Sequence, residues 1–268
     1  MFFLRVFLSF TILALSLPAL SSSIESKGQL VLSFSDGRAS VSGTSDVNKY
    51  LMSVGVRVSE TPIPKSTLSI IKKSKESALR PDEHSALIEA FSLNRDDLLE
   101  QIRLAGRKPA VAHGGYLTTS EPNVAPYPKV YDMMSMTEET KYYLQHKFGK
   151  LHVNSSEKGQ GIDEVMTIIS GGHWTWFFVL ADGVVGKLTL GYVDEDSKAW
   201  RISYPDIVAH GGFFDSAHGL VVAYAHGPEQ FIMRYQDESV DWSETLGGNP
   251  WVDFSEKTPL LLSEVPRD

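Results

Sequence analysis

The chain contains no cysteine. That excludes disulfides, thiolate metal sites and a cysteine nucleophile, and leaves any chemistry to histidines, carboxylates, hydroxyls or a bound metal. Positive charge is also scarce: 25 Lys and Arg stand against 33 Asp and Glu, a net charge of −8. A broad phosphate-binding surface needs charge of the other sign, so nucleic acid is not an expected partner. Long apolar runs are missing too. The one such stretch, from Val6 to Leu17, is shorter than the roughly 20 residues that span a bilayer. It follows Arg5 and precedes Pro18-Ala19-Leu20-Ser21, whose small residues suit a signal peptidase. Residues 1–23 therefore read as a secretory signal. The mature protein is expected in a secreted, periplasmic or organelle-lumen compartment, without a stable membrane span once the signal is removed. No Gly-x-Gly-x-x-Gly loop, phosphate-binding Lys loop, Gly-x-Ser-x-Gly elbow or His-Glu-x-x-His helix occurs, which argues against nucleotide, serine-hydrolase and zincin chemistry.

What is present is ordinary globular material: 42% hydrophobic and 10% aromatic residues over 268 positions, enough for a sizeable packed core and too much for a disordered chain. In Gln29–Ser42, Leu30, Leu32 and Phe34 alternate before Asp36-Gly37, a hairpin signature. From Asp46 to about Arg107 the period turns helical. Pro64–Ser77 carries Leu68, Ile70 and Ile71; Pro81-Asp82-Glu83 opens a helix with Leu87, Ile88 and Phe91; Asn94 caps another that stops at Gly106. Residues Gly114 to Lys129 read as a connecting loop, and Thr137 caps a helix ending at Phe148. Beyond Lys150 come short strands separated by Gly, Pro and Asp turns. The expected class is α+β: an antiparallel β-barrel or sandwich over residues 150–240, preceded by a hairpin and helical lobe over 24–149 and followed by a C-terminal tail over 241–268.

Five of the eight histidines, His152, His173, His210, His218 and His226, fall in the strand-rich half, and imidazole is the commonest protein ligand for transition metals. Their spacing is informative. Glu164 is followed by six residues and Gly171, and Pro205 precedes His210 by five. This pattern resembles the cupin superfamily, whose first motif carries His-x-His, then Glu, six residues and Gly, and whose second runs Gly, five residues, Pro-x-Gly-x-x-His. Here His152-Val153-Asn154 stands where His-x-His is expected, with Asn154 replacing the second histidine, and Ala199 and Ile207 replace the two glycines of the second motif. The tract Gly161-Ile162-Asp163-Glu164-Val165-Met166 and the region from Ala199 to Val222 are also similar to the small 4-hydroxylaminobenzoate lyase family. That alignment places the family's acidic ligand at Gly161, whereas the general spacing selects Glu164. Neighbours on a strand face opposite ways, so only one of Asp163 and Glu164 points into a barrel.

The resemblance implies a divalent metal (Fe, Mn, Zn or Ni) held by His152, Glu164 and His210, with Tyr204, His218 and Arg201 as catalytic candidates. In His173–Val179, alternation separates His173, Thr175 and Phe177 from Trp174, Trp176 and Phe178. His173, Trp176, Phe178, Tyr192 and Tyr224 are the candidate substrate-pocket residues, an aromatic wall suited to a small aromatic or carboxylated substrate. The leading expectation is a secreted or lumenal metal-dependent enzyme on a small molecule, a lyase or isomerase ahead of a dioxygenase, with homodimerisation open. The alternatives are a metal-free barrel that binds a small molecule or glycan through its aromatic face, and a structural protein whose histidines are incidental.

Overall fold

Strand alternation builds two faces and brings them together. In the computed structural model, which describes residues 29–112, 118–119 and 127–266, one five-stranded sheet has the order β11 (His210–Phe213), β8 (Trp174–Val179), β9 (Val185–Leu190), β1 (Leu30–Phe34), β2 (Val41–Ser42). The other runs β3 (Arg57–Thr61), β10 (Ala199–Pro205), β7 (Asp163–Gly171), β12 (Gly219–His226), β5 (Lys129–Asp132). Every neighbouring pair in both sheets is antiparallel. Leu30, Leu32, Trp174, Trp176, Phe178 and Leu188 from the first sheet meet Met166, Ile168, Trp200, Ile202, Val221 and Ala223 from the second in one buried core. These are every second residue of their strands, so the opposite residues form the outer faces. The expected α+β sandwich is therefore the architecture.

Both outer faces are covered. Behind the second sheet, Ile71 of α2 (Leu68–Lys73), Leu87 of α3 (Pro81–Ala90) and Leu98 of α4 (Arg95–Leu104) pack on Val165, Ile169, Leu220, Val222 and Tyr224. The helices start where local chemistry dictates. Asn94 accepts the amide of Asp97 at 3.0 Å while Asp97 accepts the amide of Asn94, and Glu83 accepts the amide of Arg80 at 2.8 Å. Tyr224 ties the lobe to the sheet by donating to the Ile88 carbonyl at 2.8 Å. Behind the first sheet, Trp251 and Val252 from the C-terminal segment pack on Phe177, Val179, Val185 and Phe213, and Trp251 Nε1 donates to the Val185 carbonyl. The segment expected to be a tail is thus the cover of one sheet.

The boundary expected at residue 150 does not divide the sheets. β1, β3 and β5 all precede it, and β1 pairs along its length with β9, Leu30 opposite Leu190. The strand at Arg57–Thr61 lies in a stretch read as helical, and β5 begins at the end of the stretch read as a loop. Most of that loop, and the N-terminal signal segment, lie outside the described residues. Two smaller ladders complete the chain: β6 (Val153–Ser155) and β4 (Thr118–Thr119) flank β13 (Gln230–Arg234), and β14 (Val252–Asp253) pairs with β15 (Leu260–Leu261).

Gly171 shows why the cupin-type interval ends on glycine. Its φ is +81°, and a Cβ there would fall 2.3 Å from the His218 carbonyl oxygen, so a side chain is excluded twice over.

Because the helical lobe shares a core with the second sheet, the two should unfold together. Leu87→Ala, at a fully buried position, is expected to cost about 2–5 kcal/mol. It should shift the urea transitions followed by far-UV circular dichroism and by tryptophan fluorescence equally; a helix signal lost ahead of the fluorescence change would show a separate lobe.

Candidate metal centre

Two backbone hydrogen bonds hold the centre's histidines opposite each other. His152 N donates to the His210 carbonyl at 2.9 Å and His210 N returns the bond at 3.0 Å. Directly opposed residues of an antiparallel pair project to the same side, and the two imidazole centroids lie 4.5 Å apart. His152 Nδ1 lies 2.7 Å from the Lys150 carbonyl and His210 Nδ1 lies 2.8 Å from that of Val208. A carbonyl only accepts, so each Nδ1 carries the proton and each Nε2 keeps its lone pair. Burial favours the neutral rings, bringing His152 down to about 4 and His210 well below its ordinary value. Neutral imidazoles anchored through Nδ1 are in the state a metal ion requires.

The carboxylates arrive from the second sheet. On β7, Glu164 and Met166 share the inner face, and Glu164 sits opposite Tyr204 of β10 and Ala225 of β12. Asp163 points the other way, where Arg107 Nε donates to it at 2.9 Å and the Ala110 amide donates at 2.9 Å. After β10 the chain turns, closed by the Val208 amide on the Pro205 carbonyl. That turn folds Asp206 inward, where it is fully buried. Asn154 Nδ2 donates to Asp206 Oδ2 at 2.8 Å and lies 3.5 Å from His210 Nε2; Tyr204 donates to Glu164 Oε2 at 2.5 Å. One ligand atom from each of Glu164, Asp206 and His210 lies within 4.8 Å of the others.

The electrostatics of this cluster are unbalanced. Desolvation pushes Glu164 up to about 7 and, with the Glu164 charge beside it, lifts Asp206 well above its ordinary value. Asp206 Oδ1 and Asn154 Oδ1 are buried without a hydrogen-bond partner. The orphaned Asp206 Oδ1, the Glu164 carboxyl and the His210 lone pair make a donor set of mixed nitrogen and oxygen character, so these residues fit the metal that the resemblance implies. His152, an expected ligand, is not among the ligand atoms within 4.8 Å of one another.

The cavity at this cluster has a volume of about 40 Å³, room for an ion and a few waters at about 10–15 Å³ per water. Its wall includes Phe148, Trp176, Phe214 and Phe231. A benzene-sized guest needs a cavity of roughly 150 Å³, so the expected aromatic substrate does not fit the space as it stands.

Several sequence candidates converge here: His152, Glu164, His210, Tyr204 and Trp176 all line the cavity. Phe178 is in the core beneath it, edge-on to Tyr204 at 5.4 Å. Others lie elsewhere. Arg201 differs from Tyr204 by three positions on one strand, so alternation turns it to the helix-covered face, where its Nε donates to Thr167 Oγ1 at 3.2 Å. Tyr224 is on that same face. His173, Tyr192 and His218 line a separate groove with Lys187 and Asp215, and Tyr192 Oη lies 2.9 Å from His218 Nε2. That groove is at the Gly171 end of β7, seven residues and about 23 Å along the strand from Glu164. His226 is buried with both ring nitrogens unpartnered and is not part of the cluster. Asn154-Ser155-Ser156 has the spacing of an N-glycosylation sequon, but Asn154 is buried, so the folded chain offers no acceptor there.

Sequence reasoning missed two residues. Asp206 stood inside the quoted second motif, four positions before His210, and its signal was an acidic side chain in the turn that delivers the histidine. Lys129, at the end of the stretch read as a loop, lines the cavity as well.

No protein family and no curated protein matches the sequence. Among solved structures, the chain is similar to an acireductone dioxygenase from Bacillus anthracis with a cadmium ion in its active centre. The TM-score is 0.51 at 16% identity, covering 78% of this chain and 98% of that one. The fold is cupin-like. At that identity the likeness speaks for the fold; the centre described above rests on this chain's own residues.

Glu164 titrates in the folded chain at about 7 against an ordinary 4.5. The stability it contributes is therefore present below 4.5 and lost as pH rises through 7. In metal-free protein, Glu164→Gln is expected to be more stable than wild type at pH 8 by about 3 kcal/mol and at pH 5 by less than about 1 kcal/mol. Urea unfolding at the two pH values checks it; a difference of the same size at both would place Glu164 in an ordinary environment.

Proposed function

We propose that the protein is a divalent-metal-dependent enzyme acting on a small molecule inside the cupin-like sandwich, with Glu164, Asp206 and His210 holding the ion and His152 beside them. The observation that carries this reading is the convergence of two buried, mutually repelling carboxyl groups on His210, whose Nε2 keeps its lone pair. A cation is what such a cluster lacks: buried charge of one sign is costly unless paired or coordinated. The set suits Fe(II), Mn, Ni or Zn. The ion would supply Lewis-acid polarisation of a substrate oxygen or, where redox-active, chemistry with O2.

The chain's own residues supply the rest. Tyr204, whose phenol burial keeps protonated, holds Glu164 Oε2 through its hydroxyl and fixes that carboxylate's orientation. Asn154 does the same for Asp206. The aromatic wall excludes water, which strengthens each polar contact inside. A lyase or isomerase reaction is the reading carried from the sequence likeness, and the dioxygenase among solved structures keeps oxygen chemistry as the competing class; folds of this kind host both. We also assign the protein to a secreted or lumenal compartment, on its first 23 residues.

The metal-free binding barrel draws support from one feature, Asn154 in the place of a ligand histidine, because a proton shared by Glu164 and Asp206 would satisfy the pair without a metal.

Metal analysis of tag-free protein after incubation with each of the four ions separates the readings. One equivalent of metal is expected in wild type, with loss of more than tenfold in affinity for His210→Ala and for Asp206→Asn. Wild-type protein that retains none of the four ions would overturn the metal reading. Oxygen uptake by the loaded protein in the presence of a candidate substrate then divides dioxygenase from lyase or isomerase.

A further inference from the structure

Lys129 places a buried amine in the cavity wall with no hydrogen-bond partner; burial brings it down to about 7, against the opposing pull of the Asp206 charge. β5 pairs with β12 so that Lys129 lies opposite Ala223, in the same cross-strand row as Met166. That puts Lys129 and Tyr131 on the inner face and Asp132 on the outer, where Asp132 accepts the Leu79 amide at 2.8 Å. The Lys129 ammonium sits 4.0 Å from the centroid of the Tyr127 ring and 5.0 Å from that of Tyr131. It is buried, and its Nζ makes no hydrogen bond. An ammonium has three donors and no acceptor, so all three are unused. Two aromatic faces are a partial substitute for water around a cation, and contribute less than the hydration given up.

The neighbourhood gives this cation a function once an ion is bound. A divalent ion on two carboxylates and neutral imidazoles leaves no net charge at the centre. Lys129, when protonated, then adds a positive charge to a cavity whose remaining wall is Asn154, two glycines, aromatic rings and Met side chains. Nothing among the described residues supplies the missing anion. The cavity admits only a few heavy atoms beside an ion, so the anion must be small.

We propose that Lys129 is the substrate-anion site of this cavity, and that the protein selects small monocarboxylates whose second oxygen reaches the metal centre while the carboxylate takes the Lys129 ammonium. The proposal rests on the metal reading for its second contact. Its first contact, anion on ammonium, is independent of it. Lys129 is on this account a specificity-determining residue: it chooses the anion over its uncharged isostere, since a neutral ligand leaves the buried donors unpaired.

The test uses the full chain, metal-free and loaded with Co(II), with glycolate and glycolamide as probes in equilibrium dialysis. Wild type is expected to bind glycolate at least tenfold more tightly than glycolamide. Lys129→Met, which keeps the length of the side chain and its contact with the tyrosine rings, should lose at least tenfold in glycolate affinity while its Co(II) content is unchanged. Equal glycolate affinity in wild type and variant, equal affinity of wild type for the two probes, or no glycolate binding in either form would each overturn the proposal. Lys129-dependent glycolate binding by a chain that takes up no Co(II) would sink the metal reading and leave the anion site standing. If Lys129→Met does not fold, the comparison of the two probes on wild type decides alone.

Discussion

Two carboxyl groups, Glu164 and Asp206, are held away from water with no Lys or Arg hydrogen-bonded to either among the described residues, and much of the surrounding structure is explained by that constraint. A buried carboxylate costs several kcal/mol unless it is paired, protonated or coordinated. The chain meets part of the cost with neutral donors: Tyr204 on Glu164, and Asn154 on Asp206. Neither removes the mutual repulsion. Both histidines have spent their Nδ1 protons on backbone carbonyls, so they face the carboxyl groups as acceptors and offer no relief of their own. Three electron-pair donors around one small space, on Glu164, Asp206 and His210, make an arrangement that protons or a cation complete.

Holding such a cluster requires that the sheets not slip. A shift of one residue in the β7–β10 pairing would exchange Glu164 for Asp163 at the cavity. Asp163 is fixed against that by Arg107, which donates to it at Nε, to the Gly55 carbonyl at 2.7 Å and to Ser203 Oγ at 3.1 Å. The outward-facing ion pair therefore sets the register of the inward-facing ligand beside it. The helical lobe contributes in the same way by packing on Val165 and Ile169, two further outward residues of β7. With no disulfide to stiffen the chain, these covers on the backs of the sheets are what keeps the cavity walls in place.

Local signals in the sequence were sufficient for the elements whose partners lie nearby: the capped helices at Asn94 and Thr137, the first hairpin, and the inward and outward sets of the Trp174–Val179 run. They were insufficient where burial depends on distant partners. Nothing in Arg57–Thr61 or Lys129–Asp132 distinguishes an edge strand from a loop until β10 and β12 are there to pair with them. Arg201 and Tyr204 both looked like inward candidates as polar-tipped side chains on one strand, yet an interval of three cannot place both on one face. Asp206 was passed over for a related reason: in a Pro turn an acidic residue is ordinarily solvated, and here the turn is closed over by the β6 segment, whose Asn154 amide donates to the Asp206 carbonyl at 2.9 Å. Its burial is a property of the assembled sandwich.

The same contact bears on what the departure at Asn154 means. In the cupin pattern that position is a histidine, and its loss removes an imidazole from the donor set. Asn154 does not leave the site: its side chain binds Asp206 Oδ2 and leaves Oδ1 directed at the cluster without a partner. The amide thus positions a carboxylate from the neighbouring turn at the cluster. Exchange of a nitrogen donor for an anionic oxygen makes the set harder and more negative, which shifts preference away from soft, thiolate-seeking ions and towards those that accept carboxylate. It also adds repulsion to the set, because an imidazole is neutral and the carboxylate repels Glu164. A substitution that removed a ligand without compensation would have relaxed the cluster; this one raises its need for positive charge.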